Sequence, residues 1–201
     1  MTLVGVALLP SADSLDSLVQ FSEHWRQDLG DLRLGRTQAI PHVSLHQIPV
    51  ASVELFVRAL SQFSGVVVGR SEFGSLYYQP VGWIFAMIQR EVWMLDLQAS
   101  VVAALDGLLD RSRMKQLDEL DGYSDDERAS YVRHGYRYVG EPFKPHFTIG
   151  RTDSARLDIS AGCSADYARR FEGRPVEFNR IVGYRAGAHG SLAEVLVEVG
   201  I

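Results

Sequence analysis

The sequence predicts an α+β fold rich in antiparallel strands, on three observations. Strand and helix patterns alternate along all 201 residues, and several strands follow one another directly, as hairpin partners do. Composition is that of an ordinary globular chain, 46% hydrophobic and 22% charged, which supplies enough apolar surface for a substantial core.

The elements follow in order. Val4 to Leu9 reads as a buried strand ended by Pro10. Residues 13–28 place Leu15, Leu18, Val19 and Trp25 on one helical stripe, with Ser11 or Asp13 as cap. Pro41 to Ile48 is a second strand, and 52–63 a second helix, with Val53, Phe56, Val57, Leu60 and Phe63 at helical spacing. Strand patterns at Val66 to Val68, Ser75 to Gln79 and Trp83 to Gln89 are punctuated by glycine. Residues 92–110 form the longest amphipathic helix, and Ser124 to Glu127 is a capping box opening a short one. A strand at 145–151, a helix near 164–172 stopped by Gly173, and strands at 175–184 and 192–199 close the chain. The order suggests an approximate internal duplication. The chain is expected to form a single bilobal domain, 1–201, with a polar insertion at about 111–140.

Bulk properties narrow the function. The apolar run Leu3 to Leu9 is too short to span a bilayer and lacks the flanks of a signal peptide. The single cysteine, Cys163, excludes an internal disulfide and a multi-cysteine metal site, and a cytoplasmic location is expected. A net charge of −5 argues against coating long nucleic acid, which requires neutralising many phosphates, but not against a small phosphate ligand in a local basic pocket.

Two segments share one pattern of Pro-His-apolar-(Ser/Thr)-apolar: Pro41-His42-Val43-Ser44-Leu45 and Pro145-His146-Phe147-Thr148-Ile149. Alternate strand residues face the same side, so each strand presents an imidazole and a hydroxyl together while the apolar residues enter a core. Proline suits the first position of a strand, where no ladder donor is needed. If the strands lie side by side, two imidazoles and two hydroxyls converge on one cleft. One neutral histidine can then remove a proton while the other, protonated, donates one, with the hydroxyls holding phosphate oxygens. The bare His-x-Ser spacing recurs at His189-Gly190-Ser191, but without the preceding proline and flanking apolar residues.

These two tetrads resemble the His-x-(Ser/Thr)-x signatures of the two-histidine (2H) phosphoesterases, a superfamily that includes the 2′-5′ RNA ligase-like proteins and RNA 2′,3′-cyclic phosphodiesterases. The resemblance spans nearly the whole chain. It implies two antiparallel-sheet lobes with pseudo-twofold symmetry about a central cleft, helices outside. It also implies His42 as proton donor, His146 as acceptor, Ser44 and Thr148 as phosphate ligands, and Arg151 as a neutralising cation in a "PHxTxxR" form. The implied activity is hydrolysis of a 2′,3′-cyclic phosphate on a nucleotide or short RNA end to a 2′-phosphate, with 2′-5′ ligation as its reverse. No metal, cofactor, membrane or obligate protein partner is expected, and the chain is expected to be a monomer. Alternatives are ADP-ribose cyclic phosphate or 2′-5′ oligoadenylate as substrate, or a nucleotide-binding module of the same fold without turnover.

The sequence departs from the family pattern twice. The histidines stand 104 residues apart, with the surplus assigned to 111–140 as a lid or partner surface, and His46 adds a third imidazole expected on the face of His42 and Ser44. His46 could assist His42 or be structural. His134 reads as a surface residue and His189 as a loop residue. Arg33, Arg36, Lys144 and Arg185 flank the motif strands or the last hairpin, and Tyr77, Tyr78, Trp83, Phe143 and Tyr184 are candidates to stack a base, though strand aromatics more often belong to a core.

Overall fold

A computed structural model describes residues 2–30, 32–65, 69–79, 82–152 and 159–200. Among them seven strands form one antiparallel sheet: β1 (Thr2–Pro10), β2 (Val43–Val50), β3 (Arg70–Tyr78), β4 (Trp83–Ile88), β5 (His146–Arg151), β6 (Pro175–Ala186) and β7 (Leu192–Gly200). The helices are α1 (Ala12–His24), α2 (Arg26–Leu29), α3 (Val53–Leu60), α4 (Val92–Leu105), α5 (Asp125–His134) and α6 (Ala161–Arg170). The α+β prediction therefore holds. None of these helices is long and apolar enough to cross a membrane.

The strand path is β2-β1-β6-β3-β4-β5, with β7 also on β6. The two expected sheets are thus joined through β6, which is long enough to serve both. Residues 178–185 pair with β1, residues 180–186 with β7, and residues 175–177 with β3. The two motif strands are the two ends of this path. Twist and bulges bend the sheet back on itself, so that β2 and β5 approach within 8 Å between Cα atoms without pairing.

Several boundaries differ from the sequence prediction for local reasons. The first helix is interrupted at Trp25, whose indole donates to Asp166 of α6 at 2.8 Å, and its N-cap is Ser11. The helix expected over 92–110 ends at Leu105 and continues as a 3-10 turn. Helix α4 is less amphipathic than predicted, because it is buried on several sides through Met94, Leu97, Gln98, Val101 and Leu105. β3 begins at Arg70, earlier than the period-2 pattern indicated, and the strand expected at 66–68 lies outside the described residues. α5 carries the predicted capping box, Ser124 and Glu127 each bonding the other's backbone nitrogen.

The core lies between sheet and helices. Leu18 and Phe21 of α1, Phe56 and Leu60 of α3 and Met94 and Val101 of α4 meet Val4, Val6, Leu8, Phe147 and Ile149 of the sheet. Cys163 and Phe143 are buried here too; burial pushes the Cys163 thiol up to about 12 and keeps it protonated.

Candidate active site

Both motif histidines are held in the same way. His42 Nδ1 lies 2.7 Å from the Ile40 carbonyl and His146 Nδ1 lies 2.5 Å from the Lys144 carbonyl, in each case the residue two before. A carbonyl only accepts, so each Nδ1 carries the proton and Nε2 is the unprotonated nitrogen. Neither Nε2 has a hydrogen-bond partner among the described residues. Ring packing fixes the orientation: His42 meets Tyr184 edge-on at 5.3 Å, and His146 stacks on Phe85 at 3.8 Å with Tyr138 perpendicular to it at 6.0 Å.

The hydroxyl two residues on faces the same side in each strand, as predicted. Directly after each hydroxyl the alternation breaks. In β2 the register passes from Ser44 opposite Ala7 to His46 opposite Val6, leaving Leu45 as the extra residue of a bulge. In β5 it passes from Thr148 opposite Phe85 to Gly150 opposite Ile84, leaving Ile149 extra. Two consecutive residues therefore turn into the core in each strand, Leu45 with His46 and Ile149 with Gly150. The next residue returns to the cleft face: Gln47 opposite Gly5, and Arg151 opposite Trp83.

This corrects the expectation for His46. It is 2% exposed, packs edge-on against Tyr136 at 5.9 Å and leaves its Nδ1 without a partner. Burial, with the nearby His134, holds its pKa down to about 3, so it stays neutral and does not share the face of His42. His134 also departs from its surface reading, since its Nδ1 is buried and unpartnered. In β5 the equivalent position must be glycine, because a Cβ on Gly150 would lie 2.6 Å from the Leu29 carbonyl oxygen.

Gln47 takes the place on the cleft face that His46 was expected to hold. Its amide donates to the Tyr184 hydroxyl at 2.5 Å and to the Gly190 carbonyl at 3.1 Å, and Tyr184 lies 3.2 Å from Ser44 Oγ. With its oxygen accepting from Gln47, the Tyr184 hydroxyl is free to donate to Ser44, leaving the Ser44 proton for another acceptor. Gly5 makes room for this ring, since a Cβ there would lie 2.5 Å from it. Tyr184 is thus fully buried beneath Ser44 and supports the site without offering a stacking surface. The Thr148 hydroxyl has no partner among the described residues.

The segment at 111–140, read from the sequence as a lid or partner surface, packs against the candidate site. Buried Gln98 of α4 donates to the carbonyls of Leu45 at 2.8 Å and Tyr138 at 2.7 Å and accepts from the Gly140 nitrogen at 3.0 Å. This clamp ties Tyr136-Arg137-Tyr138 to the bulge of β2. Tyr136 reaches Ser44, Tyr138 packs on His146, and the Arg137 charge acts on His146. Sequence reasoning missed Gln47, Gln98 and these three residues. The Tyr-x-Tyr triplet before the second motif was the one visible signal.

Electrostatics keep both imidazoles neutral in the free protein. Burial lowers His42 despite its carbonyl partner. Burial lowers His146 to about 4, and the charges of His42, Arg137 and Lys144 add to the effect. Arg151 stacks over Trp83 at 4.8 Å. Of the other flanking cations, Lys144 pairs with Glu127 at 3.1 Å, Arg36 with Asp16 at 2.5 Å and Arg185 with Glu194 at 2.8 Å. Among the described residues, no cluster of three or more potential ligands could hold a metal ion.

No protein-family model matches the chain, and neither does any curated protein sequence. Solved structures do. A crystal structure described as a phosphoesterase matches over 100% of this chain and 98% of its own, at 16% identity and a TM-score of 0.57. The E. coli protein LigT in complex with phosphate matches over 100% of this chain and 97% of its own, at 16% identity and a TM-score of 0.55. This chain has the fold of LigT. A LigT complex with 3′-AMP matches at 17% identity and a TM-score of 0.51, again over the full chain.

Proposed function

We propose that this chain is a two-histidine phosphoesterase that opens a 2′,3′-cyclic phosphate on a nucleotide or RNA end, leaving a 2′-phosphate, with acid–base chemistry supplied by His42 and His146. The observation that carries this reading is the matched anchoring of the two rings. Each Nδ1–H is tied to a backbone carbonyl, so each Nε2 is the nitrogen left to exchange a proton with a ligand. The LigT-like fold, seen in a protein that binds phosphate and 3′-AMP, agrees with it.

In the proposed reaction His146 Nε2 removes a proton from water as its oxygen attacks phosphorus. The bond from phosphorus to the ribose 3′ oxygen breaks, and protonated His42 Nε2 delivers a proton to that oxygen. Roles follow from the charges nearby. Arg137 and Lys144 disfavour a cation at His146, which suits a base, whereas burial alone lowers His42. The bound phosphodiester anion raises the pKa of an adjacent imidazole and so favours the proton on His42. Ser44 and Thr148 hydroxyls hold the non-bridging oxygens, and Arg151 balances their charge. A 5′-hydroxyl attacking in place of water would yield a 2′-5′ linkage.

The test is turnover of the four nucleoside 2′,3′-cyclic monophosphates in EDTA by wild type, His42→Ala and His146→Ala. Wild type is expected to release a 2′-monophosphate, and each variant to lose about 10²–10⁴-fold in rate. Nucleotide binding that survives both substitutions, with no turnover in wild type, would instead identify a binding module.

A further inference from the structure

The Arg137 guanidinium is held and at the same time unused. Its carbon lies 4.8 Å from the ring centroid of Tyr123 and 4.4 Å from that of Tyr138, so two aromatic faces fix its plane. It makes no ion pair and no hydrogen bond among the described residues. The neighbouring carboxylate, Glu127, is occupied by Lys144 and by the backbone of Ser124. A half-buried arginine with its donors unspent is costly unless a ligand meets it, and the planar fork of a guanidinium suits phosphate oxygens.

Its position determines which phosphate. Tyr138 connects Arg137 to the reacting centre, its ring 6.0 Å from that of His146. Arg137 therefore stands one aromatic ring from the histidine. The reacting phosphate already has the Ser44 and Thr148 hydroxyls beside the two imidazoles and Arg151 on the same face. Among the described residues, Lys144 is the other cation over the Tyr138 ring, and it is paired with Glu127.

We propose that Arg137, clamped between Tyr123 and Tyr138, binds a second phosphate of the substrate, the one esterified to the 5′ oxygen of the nucleotide whose cyclic phosphate is opened. This rests on the function proposed above and narrows its substrate class. Ligands with a 5′-linked phosphate, as at an RNA 3′ end, are preferred over a free nucleoside cyclic phosphate. Gln98 and the α5 capping box hold the segment so that the cation is in place before the ligand arrives.

The experiment compares adenosine 2′,3′-cyclic phosphate with the same nucleotide carrying a 5′-phosphate, as kcat and KM, in wild type, Arg137→Met and Arg137→Lys. In parallel, the Kd of 2′-AMP is compared with that of adenosine 2′,5′-bisphosphate. Wild type is expected to favour the 5′-phosphorylated ligand at least tenfold in both assays, mainly through KM. Arg137→Met should level the two ligands, bringing the ratio of their KM values and of their Kd values to about one whatever its effect on the rate common to both, and Arg137→Lys should retain part of the preference. No preference in wild type, or one that survives Arg137→Met, overturns the proposal whatever becomes of the hydrolysis reading. A binding preference that depends on Arg137 in a protein without turnover would retain the second-phosphate site and overturn the hydrolysis. If Arg137→Met does not fold, the wild-type comparison and Arg137→Lys still decide.

Discussion

Gln47 and Arg151 occupy equivalent places in the two motif strands, each five residues beyond a cleft histidine and each brought onto its face by a bulge. Plain alternation would have put both on the opposite side, since five is odd. The two side chains then diverge in use. Gln47 is spent inside the protein on Tyr184 and Gly190, and it orders the hydroxyl network under Ser44. Arg151 lies exposed, with its guanidinium over the Trp83 ring. Gln47 thus braces the half of the site around Ser44 from within the protein.

The β5 bulge depends on Gly150. A methyl group there meets the Leu29 carbonyl oxygen at 2.6 Å and Leu29 Cβ at 2.9 Å, and both belong to packed structure. Gly150→Ala is expected to destabilise the fold by roughly 1–3 kcal/mol, the usual cost of overpacking. It should also impair turnover by displacing Thr148 and Arg151. Urea denaturation checks the first effect; an unchanged midpoint would show that the strand accommodates the methyl group and that the bulge does not depend on glycine.

Gln98 makes three buried hydrogen bonds between α4, the β2 bulge and the Tyr138–Gly140 backbone. Gln98→Leu leaves two carbonyls and an N–H without partners, at a cost of about 3 kcal/mol. KM should rise because Tyr138 and Arg137 lose their anchor. A variant with reduced stability and unaltered KM would separate the clamp from the site.

The pH dependence of kcat/KM follows from the free-protein imidazoles. His146 must be neutral to act as base, and with its pKa near 4 activity is expected to rise through that region. His42 must be protonated to act as acid, and its pKa is below the ordinary 6.5, so activity is expected to fall again before neutrality. The kcat profile should lie at higher pH, because bound phosphate raises both values. Nuclear magnetic resonance titration of the two rings provides the check, and pKa values above 6.5 in the ligand-free protein would contradict the scheme.

His46 makes the fold sensitive to acid. Its pKa is about 3 folded against 6.5 unfolded, so the unfolded chain binds the proton first. Stability is full above pH 6.5 and is lost as pH falls towards 3. At 1.36 kcal/mol per pKa unit, lowering pH from 7 to 5 costs about 2 kcal/mol through this residue. His46→Leu should reduce the acid-induced loss by about that amount, measured as the difference in unfolding free energy between the two pH values. An equal loss in wild type and variant would assign the sensitivity to other groups.

The sequence by itself determined the α+β class, the type of nearly every described element and the two His-hydroxyl pairs. Alternation and helical periodicity are local, and so was the proline that opens each motif. By alternation the sequence could not place His46 or Gln47, and it brought in Arg151 only through the family resemblance. A bulge is set by register against a partner strand far away in sequence, β1 for one motif and β4 for the other. Nor could it place Tyr136-Arg137-Tyr138 in the cleft. That segment is polar and reads as an insertion, and hydrogen bonds from Gln98, some forty residues earlier, and from Gln79 tie it beside His146. The residues proposed to carry the chemistry were legible because strand geometry is written in neighbouring positions. The residues proposed to tune and select were decided by contacts between distant ones.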